Sequence, residues 1–182
     1  MTVTEGTTAE GTASADPADD PVAAGPDPDG RVRTRAAPLG RSLHPHVFVL
    51  FGATGDLARR KLLPGLYRLS RAGLLPETRI VGTSIEEHDD DGFRAVALDA
   101  CRDHVRGGVS PGDWAAFAAK LRYVPMSLGG DGLAAEVARL EDELEGEARR
   151  LHYLSVPPAA APVVVRTLGD ADLHHRARIV ME

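Results

Sequence analysis

The sequence predicts an α/β protein: a mostly parallel sheet, doubly wound, with helices on both faces. Three observations carry this. Strand-like and helix-like segments alternate from His46 onward, the order that builds parallel sheets through crossover helices. Val47-Phe48-Val49-Leu50-Phe51 is an unbroken apolar run, as a strand buried on both faces requires. Gly52 follows that run directly and leads into a helical stretch, so a tight strand-to-helix turn is expected.

The elements follow in order. After the first strand, a helix is expected from about Asp56 to Ala72, kinked or divided by Pro64, because proline lacks the N–H that the helix ladder needs. Arg79 to Thr83 is a short second strand. Asp89 to Val105 is helical, with Phe93, Val96, Ala97, Ala100 and Cys101 on one face. Ser110-Pro111 starts another helix reaching about Lys120. Leu121 to Pro125 is a strand. Leu133, Val137, Leu140 and Leu144 repeat at helical spacing, with Gly146 as the stop. Leu151 to Val156 is a strand ended by Pro157-Pro158, Pro162 to Leu168 a helix, and Ala177 to Met181 a last strand.

The first part of the chain differs. Met1 to Pro38 contains no Ile, Leu, Phe, Tyr or Trp, so it cannot bury enough apolar area to offset its ordering entropy. Residues 1–43 are expected to be a disordered tail, and 44–182 a single domain. The tail's Arg31, Arg33 and Arg35 would suit a docking arm, but a solvated tail is the simpler expectation.

Bulk properties narrow the function. A net charge of −6 argues against a nucleic-acid binder, which needs a basic face. No run is long and apolar enough for a membrane span, and the acidic start fits neither a secretory signal nor a transit peptide. A soluble, cytoplasmic protein is expected. The single cysteine, Cys101, excludes an internal disulfide and is expected to be a small buried hydrophobe.

The informative motif is Gly52-Ala53-Thr54-Gly55-Asp56-Leu57-Ala58. It lies between a buried strand and a helix, the context a dinucleotide fingerprint requires. Gly52 would permit the tight turn, Gly55 a close approach to a pyrophosphate, and Ala58 close packing of helix on sheet. The first-turn N–H groups would face phosphates. Arg59, Arg60 and Lys61 follow immediately and could reach them. The spacing is Gly-x-x-Gly-x-x-Ala rather than Gly-x-Gly-x-x-Gly, so alone it is a moderate signal.

Phe51 to Pro76, with its Gly-Asp-Leu-Ala core, basic cluster, Pro64 and Gly73-Leu74-Leu75-Pro76, resembles the cofactor segment of glucose-6-phosphate dehydrogenases. Tyr153-Leu154-Ser155-Val156-Pro157-Pro158 resembles that family's Tyr-Leu-x-x-Pro-Pro strand end. Arg178 to Glu182 resembles the lead-in to its Glu-Lys-Pro-Phe-Gly motif. The resemblance spans residues 46 to 182 and implies a Rossmann-type domain binding NADP. It implies that Gly52 to Arg59 hold the pyrophosphate and that Tyr153 and Pro157 lie near the nicotinamide. It further implies oxidation of glucose 6-phosphate to the lactone in the pentose phosphate pathway, by an enzyme that forms homo-oligomers.

Two departures stand out. Ile85 occupies the place where the family often has an arginine for the 2′-phosphate of NADP, and isoleucine offers no guanidinium fork. Glu86 or Glu87 could accept from a ribose 2′-hydroxyl, the NAD arrangement. Alternatively both face solvent and Arg59 or Arg60 takes the phosphate. Cofactor choice thus stays open between NADP and NAD. The second departure is that the family's substrate motif, with its base histidine, is not within the 182 residues. No catalytic residue is therefore assigned, and the chain is expected to be the inactive cofactor half of the enzyme.

Other residues are expected to be structural. No metal site is expected, since the histidines lack the spacing of a helical ligand pair. His174 and His175 are adjacent, and only His152 falls near the expected cleft. Trp114 and Phe117 read as a packing pair. One rival is a stand-alone NAD(P)-binding regulatory or assembly module. Another, a short-chain epimerase or reductase, needs Tyr-x-x-x-Lys, and none of Tyr67, Tyr123 and Tyr153 has a lysine four residues on.

Overall fold

The computed structural model describes residues 44–181, so the tail expected over 1–43 lies outside the described residues. Five strands form one parallel sheet: β1 (His46–Phe51), β2 (Thr78–Thr83), β3 (Leu121–Tyr123), β4 (Arg149–Leu154) and β5 (Ala177–Met181), in the spatial order β3-β2-β1-β4-β5. The α/β expectation holds, with β1 at the centre.

Strand β1 explains the two-layered core. Its side chains alternate between faces, and both faces are covered. Phe48 and Leu50 pack with Ile80, Phe93, Phe117 and Leu121 on one side. Val47, Val49 and Phe51 pack with Val81, Leu133, Val137 and Leu168 on the other. Burying one such side chain stabilises by roughly 1.5–3 kcal/mol, so the apolar run makes β1 the anchor of the sheet. The first face is covered by α1 (Leu63–Arg71), α2 (Asp90–His104) and α3 (Pro111–Ala118), the second by α4 (Gly129–Asp142) and α5 (Ala161–Asp170). Cys101 is fully buried in the first cluster. Trp114 and Phe117 pack together with Tyr67.

The expected interruption at Pro64 takes a specific form. A π-helical turn, Ala58–Leu62, runs directly into α1. Proline at 64 cannot donate to the carbonyl of Arg60 and would press against it. Widening the preceding turn, with the Leu63 N–H reaching the Ala58 carbonyl, relieves that clash without breaking the helix.

Three boundaries differ from expectation. Helix α4 stops at Asp142, and Gly146 lies in the loop beyond it. The chain leaves the helix early to turn Leu144 into the core, where it is 5% exposed. Strand β4 runs from Arg149 to Leu154 because its partner β1 ends at Phe51, opposite Leu154. Strand β3 ends at Tyr123, short of the expected Pro125, which has no N–H to contribute. Val124 and Met126 nevertheless still donate to Gly82 and Ser84.

Candidate cofactor-binding site

The chain runs outward from β1 to β2 and β3, then returns to lie at β4 on the other side. The strand order therefore reverses between β1 and β4, and parallel α/β sheets bind ligands outside the carboxyl ends of the strands at such a point. The glycine turn sits there.

Gly52 has φ +75°. Its N–H donates to the Thr83 carbonyl at 2.9 Å, and Ala53 N–H donates to the same oxygen at 3.2 Å. On its other side Gly52 touches the loop after β4. A Cβ built at this position would lie 2.1 Å from the Ser155 carbonyl oxygen. The turn is thus pinned between β2 and β4, and only glycine fits. Gly55 closes it by donating to the Gly52 carbonyl at 3.0 Å. Ala58 is fully buried in the core, in a turn packed against α2, a place with little room for a larger side chain.

The helix opens at Asp56, and Arg59 N–H makes the bond to the Gly55 carbonyl at 3.0 Å. The N–H groups before Arg59 have no partner inside the helix, an arrangement that favours anions at helix N-termini in general. Arg59, Arg60 and Lys61 are exposed. Arg60 lies 3.6 Å from the Asp56 carboxylate, a surface pair of small energetic weight.

The remaining expected site residues are spread along β4 and the loop after it. Tyr153 is half-buried, its ring 6.4 Å from that of Phe48 on the α1 face. Pro157 is exposed, two residues beyond the Ser155 carbonyl that abuts Gly52. His152 departs from expectation. It is fully buried on the opposite face, with Nε2 2.8 Å from the Leu173 carbonyl. Strand alternation sends it into the core beneath α5 while Tyr153 faces the other way. Burial holds its imidazole below the ordinary pKa. His174 and His175 stack in a non-helical turn, and with Asp172 their ligand atoms lie within 4.8 Å of one another. All three are exposed, and this group lies before β5, away from the glycine turn.

Sequence reasoning missed one arrangement. Thr54 Oγ1 lies 2.6 Å from Glu86 Oε2 and 2.8 Å from Ser84 Oγ, and Ser84 Oγ donates to Glu86 Oε2 at 2.5 Å. The Tyr123 hydroxyl donates to the Glu86 carbonyl at 2.7 Å. Glu86 therefore reaches back to the glycine turn. The hydroxyls of Ser84 and Thr54 hold its carboxyl below the usual range. Glu86 and Ser84 were visible in the sequence, but their partner in the turn follows from the register that sets Phe51 opposite Thr83. Among the described residues, two sizeable hollows, one by Glu141, Arg150 and Asp172 and one by His46, Arg149 and Arg178, lie at the amino ends of the strands. They are remote from the turn, and the rule for parallel sheets favours the turn as the ligand site.

Fold and site together define a Rossmann-type dinucleotide-binding domain. Comparison with known proteins makes the assignment particular. Residues 49–182 match the family model "Glucose-6-phosphate dehydrogenase, NAD binding domain", and the chain belongs to that family. It is 36% identical over 137 residues to the glucose-6-phosphate 1-dehydrogenase of Dickeya dadantii, covering 74% of this chain and 27% of that protein. It is 34% identical over 140 residues to glucose-6-phosphate 1-dehydrogenase 2 of Mycobacterium bovis, with the same coverage. The crystal structure of glucose-6-phosphate 1-dehydrogenase from Mycobacterium avium superposes with a TM-score of 0.64 at 32% identity, over 75% of this chain and 29% of that one. The chain thus spans little more than a quarter of the length of these relatives. Among the described residues, no helix is long and apolar enough to cross a membrane.

Proposed function

We propose that this chain is the nicotinamide-dinucleotide-binding part of a cytoplasmic glucose-6-phosphate dehydrogenase. The enzyme would oxidise the C1 hydroxyl of glucose 6-phosphate to the lactone. The observation that carries the reading is the Gly52 turn, wedged between the ends of β2 and β4 where the strand order reverses. A bound dinucleotide supplies the hydride acceptor. The chain's own residues supply the cradle. Gly52, Ala53, Thr54 and Gly55 set the backbone path. Asp56, Leu57 and Ala58 offer first-turn N–H groups to the pyrophosphate, with Arg59 beside them. Tyr153 and Pro157 border the nicotinamide end. Hydride transfer needs sugar and cofactor held together with a base, and no residue here is given the base's role.

The activity is tested by a chimera. Residues 46–182 of this chain replace the corresponding segment of the Dickeya enzyme, and glucose 6-phosphate-dependent dinucleotide reduction is followed. Turnover with glucose 6-phosphate is expected. A folded chimera that binds dinucleotide yet leaves glucose 6-phosphate untouched overturns the reading. A second reading, a stand-alone binding module, draws on β5, where Ile179, Val180 and Met181 are exposed. It expects the 182-residue chain to self-associate in solution, and sedimentation as a monomer would remove it.

A further inference from the structure

We propose that Glu86 makes this cleft select NAD over NADP, by accepting hydrogen bonds from the adenosine ribose hydroxyls, one of which carries a phosphate in NADP. The proposal rests on the reading of the Gly52 turn as the dinucleotide cradle and specifies which dinucleotide it takes.

Glu86 follows the end of β2, the strand next to β1, where Rossmann-type sheets place the acidic group that contacts ribose. Its carboxylate lies at the rim of the turn, 2.6 Å from the hydroxyl oxygen of Thr54. Ser84 and Thr54 both converge on Oε2, while Tyr123 holds the Glu86 backbone through its carbonyl. A carboxylate has about four lone-pair positions, so the two hydroxyls and the Glu86 backbone N–H still leave capacity for ribose.

A 2′-phosphate needs cations in fork geometry, and the side chain preceding Glu86 is Ile85, which is 80% exposed and apolar. Glu87 follows and adds a further negative charge, and His88 packs its ring against Tyr123. The exposed cations nearest the turn, Arg59, Arg60 and Lys61, lie on the helix rather than at the end of β2. The Glu86 carboxyl, like any glutamate, is ionised at neutral pH, and the hydroxyl contacts lower its pKa further. A phosphate dianion about 5 Å from a carboxylate is repelled by on the order of tenfold in binding, even in a water-like dielectric.

The test is calorimetric titration of the 182-residue chain with NAD and with NADP, for the wild type, Glu86→Gln and Ile85→Arg. Thermal melts establish that each is folded. The expected result is NAD binding tighter than NADP by about tenfold or more in the wild type. Glu86→Gln should shrink that ratio by about tenfold, chiefly through stronger NADP binding, and Ile85→Arg should shrink it independently. Tighter NADP binding by the wild type overturns the proposal and leaves the cradle standing. It would mean that the phosphate displaces Glu86 and takes the hydroxyls of Thr54 and Ser84. An unchanged ratio in Glu86→Gln also overturns it. If neither dinucleotide binds to folded chain, the cradle falls and the proposal with it.

Discussion

Replacing Gly52 with alanine tests the geometry on which the site depends. Two costs add. The backbone at φ +75° penalises any side chain, by roughly 1–2 kcal/mol for a left-handed residue. The new methyl would also lie 2.1 Å from the Ser155 carbonyl oxygen and 3.0 Å from its carbon. That carbonyl belongs to backbone that cannot swing aside, because Ser155 N–H is bonded to the Phe51 carbonyl at 3.0 Å. Forcing an extra methyl into packed structure costs roughly 1–3 kcal/mol. Together the substitution should destabilise by about 2–5 kcal/mol, a large share of the ~5–15 kcal/mol of a typical domain. Urea unfolding followed by circular dichroism measures this. Gly73→Ala is the control, since Gly73 has φ +67° with nothing within 4 Å of an added Cβ. It should show the backbone cost alone, so the difference between the two variants isolates the contact with β4. Dinucleotide binding should weaken by more than about tenfold in Gly52→Ala, because the turn must move away from Ser155. Equal destabilisation in the two variants, or undiminished binding in Gly52→Ala, would refute the wedge.

Other consequences follow from burial. The His152 imidazole is fully buried and held below its usual value of 6.5 by desolvation, so the native state resists a proton that the unfolded chain accepts. The stability contributed by neutral His152 is whole above the unfolded pKa and declines as pH falls towards the folded one. Urea midpoints taken between about pH 7 and about pH 5 should fall more steeply for the wild type than for His152→Leu, and parallel slopes would exclude this role. Burial also pushes the Cys101 thiol up to about 11. A thiol reagent should therefore label the folded chain far more slowly than the unfolded one, and labelling should track unfolding across a urea series. Rapid labelling of the native chain would place Cys101 outside the core.

The sequence alone was sufficient for the class of fold and the location of the turn. Two periodicities account for this: the unbroken apolar run of β1 and the one-sided apolar stripe of α2 are local patterns that burial imposes directly. The glycine at 52 was legible because a strand-to-helix turn restricts its first residue. The boundaries of α4 and β4 were not legible, since the helix end is set by Leu144 reaching the core and the strand end by the length of its neighbour β1. His152 lies next to Tyr153 in the sequence, yet alternation along β4 turns it into the core on the other sheet face.

Most of what matters at the site lies between these limits. Thr54 and Glu86 each stand out in the sequence, one in the turn and one after the second strand, but nothing there joins them to each other or to Ser84 across up to 32 positions. Only the parallel pairing of β1 with β2, which sets Phe51 beside Thr83, brings their side chains within hydrogen-bond distance. Residue type and local spacing decide which turn can hold a dinucleotide. Which charged group stands at its rim is decided by strand register, a relation between distant segments that no local pattern encodes.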